Sequence, residues 1–585
     1  MRRTLPLLAC LLALALAPAA HAGWFVAEPL DGPADIERVA VDLGREETGG
    51  LVYIKRDGAG SRAWLSIYAA GAFGAPAPFS GPGATEAAVA AGEEGRVAVA
   101  WIENGDVLGA LAGGAVAGLS SGGGASGVSV DMGVNGVAYA VWTHAGDVRA
   151  ARLEGQAWQP VPAPLDINPA ATASGPRVAV AADGSALVVW TEAGGDGRTH
   201  VFARRLYGTN LSSIPQDATL DTFEGQAAGS ADSPDVDVEY DRSYAWVVFR
   251  QDIGGRSRSI GRRLRASTFE PPQAIDGGVT SIEPRVSTTG LGSGHGVAWG
   301  MDGTVIGSSL RDDAFQPPAR VDLTGVVSRP LVAFSDRSDA AVVWRAGGDS
   351  DAVVRGRLAP DESPFGPEVV LSRGDLGPVA PNELAASSNR VADVAVAMLQ
   401  GAPGARHLTV AMHDLPPSRP VLSGTRSHGP ARPMIRWNPG LDFGGPQTFK
   451  VLIDGREVAT TAKTRLRAPR KLKRGSRRLQ VIGVDRRGQV SPPSRSRRMV
   501  IDAGKPRLGV RFRRSGRCVS VSIRTRDRRR GTGIRGVRTD WGDESKRSRR
   551  MSARHCYRRG GRYTVTVVSR DRAGNKTTRR RTFRV

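Results

Sequence analysis

The chain has 585 residues, with 80 lysines and arginines against 57 aspartates and glutamates, a formal net charge of +23 and only 6% aromatics. That length exceeds one ordinary hydrophobic core, so two to four domains are expected. Short glycine-punctuated apolar runs, with no amphipathic helix of normal length and no second apolar stretch of about 20 residues, exclude a helical architecture and a helical membrane span, and read as all-β.

The first 22 residues carry the pattern of a secretory signal. Arg2 and Arg3 form the basic start, residues 7–17 the apolar stretch, and Ala20-His21-Ala22 a small-x-small cleavage site before Gly23. About a dozen apolar residues cannot span a bilayer of roughly 30 Å. Leu8-Ala9-Cys10 has the letters of a lipoprotein box, but most of the apolar run follows Cys10. The mature protein is therefore expected outside the cell, secreted or wall-associated, and without an anchor.

Residues 23–415 repeat a unit of roughly 40 to 60 residues about eight times. Each copy opens with a Pro-x-Val type strand, then a turn, then an apolar run ending in a large residue. Pro176-Arg177-Val178 followed by Leu187-Val188-Val189-Trp190, and Pro330-Leu331-Val332 followed by Ala341-Val342-Val343-Trp344, show the pattern. The closing residues are Tyr53, Trp101, Trp142, Trp190, Phe249, Trp299, Trp344 and Met398. Continuous apolar runs suit strands buried on both faces. A third strand with basic or small residues follows, as at 147–153 and 259–264. A fourth ends in an aromatic close to proline, as at Trp158-Gln159-Pro160 and Phe315-Gln316-Pro317-Pro318.

Four short strands per unit predict a β-propeller blade, because such a unit buries its faces only against its neighbours. The last unit, 381–415, lacks the fourth strand, and the segment from Gly23 resembles that missing element, so it is expected to complete the last blade and close the ring. Eight blades are expected, with seven as the alternative because the second unit, 85–124, is degraded and glycine-rich. Separate sandwiches would need about 100 residues each, roughly twice the period. Ala182-Asp183-Gly184-Ser185 with Trp190 resembles the Asp-box repeat of bacterial neuraminidases. The intervening residues depart from that order, and Asp183-Gly184 reads as hairpin turn chemistry.

Leu415-Pro416-Pro417 marks a boundary. Beyond it, Met434-Ile435-Arg436-Trp437, the run 449–455 and the run 478–485 read as strands. With Trp437 and the turn after Val484 they resemble a fibronectin type III or Ig-like module over 416–502. In the last segment, 503–585, Trp541-Gly542-Asp543, His555 and Tyr557, Gly561-Arg562-Tyr563-Thr564-Val565 and Asp571-Arg572-Ala573-Gly574-Asn575 resemble the PKD domain. Glu544 departs from it, standing where that family has glycine. The resemblance implies an extracellular spacer or binding module, with structural roles for Trp541 and Tyr563.

Signal removal leaves two cysteines, Cys518 and Cys556. An even pair in an exported chain predicts one disulfide, closing a loop of about 39 residues, and the alternative is two buried thiols. Charge is strongly asymmetric. Residues 421–585 hold about 47 basic and 10 acidic side chains, whereas residues 1–420 hold about 33 and 47. The dense runs place Arg511, Arg513, Arg514, Arg528, Arg529, Arg530, Arg547, Arg549 and Arg550 as candidate contacts to an anionic surface. Base-stacking aromatics are not interleaved with them, which disfavours nucleic acid.

No catalytic motif stands out. His407 and His413, expected on a strand pair, lack a third ligand. Gly118-Leu119-Ser120-Ser121-Gly122 has the letters of a nucleophile elbow but no helix after it. Asp235, Asp237 and Glu239 alternate on one strand face, so calcium is conceivable there, although solvated strand positions are the simpler reading. No catalytic residue, cofactor or metal site is assigned. The expectation is a monomeric, non-enzymatic extracellular binding protein, its partner an anionic envelope polymer or an extracellular glycan or protein. The alternative is a sialidase-like glycan hydrolase, which a cluster of arginine, acidic and tyrosine side chains at one channel mouth would favour.

Overall fold

The computed structural model describes residues 23–585 apart from 59, 167, 169, 212–227, 240–243, 266–267, 290–291, 324, 444 and 529–530. The signal segment 1–22, Arg529 and Arg530 lie outside the described residues. Among the described residues the chain is all-β, with two short 3-10 turns, Pro360–Glu362 and Gly374–Leu376. No described helix is long and apolar enough to cross a membrane. The chain divides into two compact units, one built on Ala22–Leu415 and the other on Pro416–Asp442 with Pro446–Val585.

The first unit contains eight antiparallel sheets of four or five strands among the described residues. The first sheet shows the pattern. Ile36–Leu43, Gly49–Arg56 and Ser61–Ala69 run as a meander, and the short Ala72–Phe73 and Ala77–Pro78 both pair with the third strand. The glycine-rich stretch 85–124 forms its own sheet from Ala84–Ala91, Val97–Glu103, Asp106–Leu111 and Ala117–Gly118. In the eighth sheet Gly23–Ala34 pairs antiparallel with Arg406–Asp414, beyond Val394–Gln400 and Val379–Ser388. Its core joins Ile36, Leu51 and Tyr53 of the first sheet to Ala395, Leu399 and Leu408 of the eighth, so the series closes on itself. The N-terminal segment thus takes the place expected for it.

All eight large residues that end the apolar runs lie on second strands, and those strands are buried along most of their length. Trp299 is the exception in exposure. Ser287 pairs with His295 where Asp42 pairs with Gly50, so the position equivalent to Tyr53 is Ala298. Trp299 falls one residue late, onto the opposite face, and is half-buried. The fourth strands are shorter than expected. Pro271, Pro272, Pro317 and Pro318 cannot donate to the ladder, leaving two-residue fragments. Their aromatics matter more than their pairing. Phe315 packs edge-on against Trp246 at 4.8 Å, and a Cβ at Gly261 or Gly296 would approach it to 2.5 or 2.8 Å.

The second unit holds two pairs of packed sheets. In the first pair, Ile435, Trp437, Phe449, Val451, Leu479 and Met499 form the core between a three- and a five-stranded sheet. In the second, Arg507–Ser515, Cys518–Arg526 and Ser552–Cys556 face Ile534–Asp540, Arg562–Asp571 and Lys576–Arg584. Trp541, Tyr557, Val521 and Val565 lie between them. Trp541 stacks on His555 and Tyr557 on Tyr563, so both family-implied aromatics have structural positions. Cys518 and Cys556 form a disulfide at directly paired positions of neighbouring strands, with Cα atoms 3.9 Å apart.

Candidate functional site

The innermost strand of each ring sheet places one residue at an equivalent register. In chain order these are Asp42, Ala90, Asp131, Ala179, Asp237, Ser287, Ala333 and Ser387. They surround a central cavity of about 240 Å³ lined by residues of all eight sheets. The polar members tie each sheet to the next. Asp42 accepts the Ala91 N–H at 2.8 Å, Asp131 the Val180 N–H at 2.6 Å and Asp237 the Thr288 N–H at 2.7 Å. Ser287 accepts the Phe334 N–H at 3.2 Å, and Ser387 accepts the Leu43 N–H at 3.0 Å. Burial raises the pKa of all three aspartates, Asp42 and Asp237 to about 7, and the Asp131 charge adds to the rise in both. The same Val-Asp-apolar triplet recurs at 41–43, 130–132 and 236–238. That repeat is the signal from which these residues could have been found.

At the end of the cavity beyond Leu43, ion pairs close the wall. Arg45 pairs with Asp336 and, at 3.5 Å, with Glu93, while Arg390 pairs with Glu46 at 2.7 Å. The opposite mouth carries mixed charge. Glu86 accepts the Val128 N–H, Asp235 the Val286 N–H and Glu383 the Val39 N–H, so these carboxylates also stitch neighbouring sheets. Arg177, Arg285 and Arg329 project there from the fourth, sixth and seventh sheets, within electrostatic reach of one another. No tyrosine is among the charged groups that act on them.

The other candidate residues take ordinary places. Asp235 and Asp237 share a face as expected, but each is engaged with the next sheet, and buried Glu239 pairs with Arg263 at 2.8 Å. His407 and His413 lie on one strand, Arg406–Asp414, rather than on a strand pair. Six residues of strand set them about 20 Å apart, and the His413 ring contacts the Ala392 carbonyl. Ser120 accepts the Val107 N–H in a turn with no helix after it. Asp183 accepts from the Ser185 N–H and hydroxyl, with Gly184 at positive φ, as a hairpin turn requires.

In the last module the arginines spread over both outer sheet faces. Arg511, Arg513 and Arg507 alternate outward, opposite Ser522, Ser520 and Arg526 respectively on the next strand. Arg514 instead donates to the Arg584 carbonyl at 2.6 Å. The Arg528 side chain lies beside Gly504, and Arg550 is exposed. Arg547 and Arg549 join a groove of about 850 Å³ on the other face, also lined by Arg535, Arg538, Arg570 and Arg580. Its rows are set by register, with Arg538 opposite Val568 and Thr566 between Asp540 and Arg580. Asp540 is the one carboxylate lining it, and it pairs with Arg547. Arg580 belongs to the dense run Arg579-Arg580-Arg581, whereas Arg535, Arg538 and Arg570 lie outside the dense runs, so a search for such runs passes over those three. Alternation along the strands brings them together.

Among the described residues, one group of three carboxylates converges. Asp502, Asp527 and Asp571 present oxygens within 4.8 Å of one another, a set that suits a hard cation. Each also accepts backbone N–H groups, from Thr532, Gly533 and Asn575 respectively. Burial, with the charges of the other two, raises the Asp571 pKa.

No protein-family model matches the chain. No curated protein matches it in sequence. Among solved structures it is similar to the PKD1 domain of Vibrio anguillarum Epp, at 26% identity over 14% of this chain and 93% of that one, with a TM-score of 0.13. It is also similar to fibronectin(III)-like modules of Clostridium thermocellum CbhA, at 12% identity over 28% and 93%, with a TM-score of 0.22. A third likeness is to the WD40 domain of SCAP from fission yeast, at 9% identity over 68% and 98%, with a TM-score of 0.39.

Proposed function

We propose that this is an exported, non-enzymatic extracellular binding protein. In this reading the ring is an eight-bladed β-propeller serving as a ligand platform, and 416–502 and 503–585 are fibronectin III-like and PKD-like sandwiches. The basic last module attaches the protein to an anionic envelope polymer or glycan. The observation that carries the reading is the groove of six arginines with one carboxylate on the outer face of the last module. Guanidiniums at alternate strand positions suit a repeating anionic chain, which can meet several of them at once.

A glycan hydrolase is the second reading, favoured by the convergence of Arg177, Arg285 and Arg329 with acidic groups at one mouth. A sialidase-like enzyme sets a tyrosine nucleophile beside its arginines, and among the described residues no tyrosine lines the depression that holds Arg177 and Arg285. Glu86, Asp235 and Glu383 each already accept a neighbouring backbone N–H, which weighs for the binder.

The test is retention of the mature protein on an immobilised sulfated glycan through a salt series. Wild type should elute late, and the R538Q/R549Q/R570Q/R580Q variant markedly earlier, because screening acts on each contact. Equal elution of the two would sink the attachment reading.

A further inference from the structure

Arg177, Asp235 and Arg285 each stand two residues before the inner-ring positions Ala179, Asp237 and Ser287. They leave their strands on the same side, one step nearer the mouth. Arg329 lies in the bulge that opens the next inner strand, at φ 50°. Arg177 and Arg285 line one depression of about 310 Å³, together with Ser174, Thr191, Glu283 and Asp232, the last paired with Arg250.

Elsewhere in the ring, arginines meet carboxylates. Arg258 pairs with Asp276, Arg263 with Glu239, Arg320 with Asp322 and Arg355 with Glu368. The mouth arginines do not. Arg177 makes no side-chain hydrogen bond or ion pair with any described residue. Arg285 donates to the carbonyl of its own neighbour, Pro284, at 2.8 Å. Arg329 donates to the neutral amide of Asn382 at 2.7 Å. Desolvation by the ring wall lowers the pKa of Arg177, which is nonetheless exposed, and of Arg329. Arg285 adds to this at both, against Asp235 and Glu86 at Arg177 and against Glu283 and Glu383 at Arg329. Arg258, Arg263 and Arg320, beside their carboxylates, are shifted up instead. Carboxylates stand nearby but none of those described is in ion-pair contact with these three guanidiniums, so an anion that joins them directly would relieve their mutual repulsion.

We infer that this mouth binds a small molecule bearing an oxyanion, a carboxylate or phosphate, gripped by Arg177 and Arg285 with Arg329 at its edge. A planar guanidinium meets such a group through two parallel hydrogen bonds, and two of them can clamp it. The hydroxyls of Ser174 and Thr191 in the same depression suit a hydroxylated ligand, such as an acidic sugar. The inference rests on the reading of the ring as a ligand platform and is independent of the basic groove.

The experiment is calorimetric titration of the full mature protein with galacturonate, with inorganic phosphate and with neutral galactose. Galacturonate or phosphate should bind and galactose should not. R177Q/R285Q should weaken binding by at least about tenfold, one decade in Kd, while R538Q/R549Q/R570Q/R580Q keeps it. Stronger binding of galacturonate than of phosphate assigns a carboxylate ligand, and the reverse a phosphate. Equal binding by wild type and R177Q/R285Q, or no binding of either anion, overturns the inference. Thermal melting without anions is the check on folding. R177Q should melt at or above wild type, because Arg285 repulsion is the largest charge effect on Arg177. A fall of several degrees would mean that Arg177 is structurally partnered, and would also overturn it. Loss of glycan retention by the groove variant, with anion binding kept, separates failure here from failure of the attachment reading.

Discussion

Ser387 and Asp42 stand 345 residues apart in sequence, yet the Ser387 hydroxyl donates to the Asp42 carboxylate at 2.9 Å and accepts the Leu43 N–H at 3.0 Å. One side chain of the last ring sheet thus engages the first sheet twice, at the inner edge where the series closes. Ser387→Ala leaves the Leu43 N–H without its side-chain acceptor and removes one of the donors to Asp42, the Ala91 N–H remaining. Urea unfolding should show a loss of about 1–3 kcal/mol, the cost of unsatisfied buried polar groups. The equivalent Ala333 has no such role, so Ala333→Ser should be close to neutral. A Ser387→Ala midpoint equal to wild type would show that closure depends on the outer Gly23–Ala34 pairing alone.

Asp42 and Asp237 give the ring a pH dependence of defined sign. Each has a folded-state pKa of about 7 against about 4 in an unfolded chain. Between these values the folded protein holds protons that the unfolded chain has released. Stability therefore falls as pH rises from about 4 to 7 and levels off above. Both residues are half-buried rather than fully buried, which reduces the size of the effect. Asparagine keeps the acceptor for Ala91 or Thr288 and removes the titration. D42N/D237N should match wild type near pH 4 and exceed it at pH 8 in urea unfolding. An unchanged pH slope would overturn the assignment.

Much of this fold was legible because period and burial leave marks in sequence. The apolar second strands, the closing N-terminal segment and the cysteine pair each follow from a local pattern with a physical cause. Trp299 shows the limit. A tryptophan at the end of an apolar run looks equivalent to Trp190, but a one-residue slip puts it on the other face. The mouth was not legible. Pro176-Arg177-Val178 and Pro284-Arg285-Val286 read as strand openings, and only ring closure brings their arginines together. The basic groove was half legible, because dense runs, Arg580 among them, are visible in sequence, whereas Arg535, Arg538 and Arg570 join them only through strand register.

The disulfide should matter locally. Cys518 and Cys556 are 38 residues apart, and a loop of that length restricts the unfolded chain by roughly 3–4 kcal/mol. Cys556 is exposed, so a reductant can reach the bond. Reduction, or C518S/C556S, should lower the unfolding midpoint of the last module, followed by Trp541 fluorescence, and leave the ring transition in place. A shift of the ring transition instead would contradict the division into two units.

His295 opposes the aspartates. Burial lowers its pKa to about 4, against about 6.5 in an unfolded chain. Between those values the unfolded chain takes up a proton that the folded ring refuses. This contribution is fully present above about pH 6.5 and is lost as pH falls towards 4. Wild type over that range therefore sums two opposite slopes. In the D42N/D237N background the histidine acts with less opposition, and stability should climb from pH 4 to 6.5. Adding H295F removes the titration and keeps an aromatic ring beside Phe365, whose centroid lies 5.5 Å away. The triple variant should lose most of that climb. If it climbs as steeply as D42N/D237N, the acid sensitivity arises from groups other than His295.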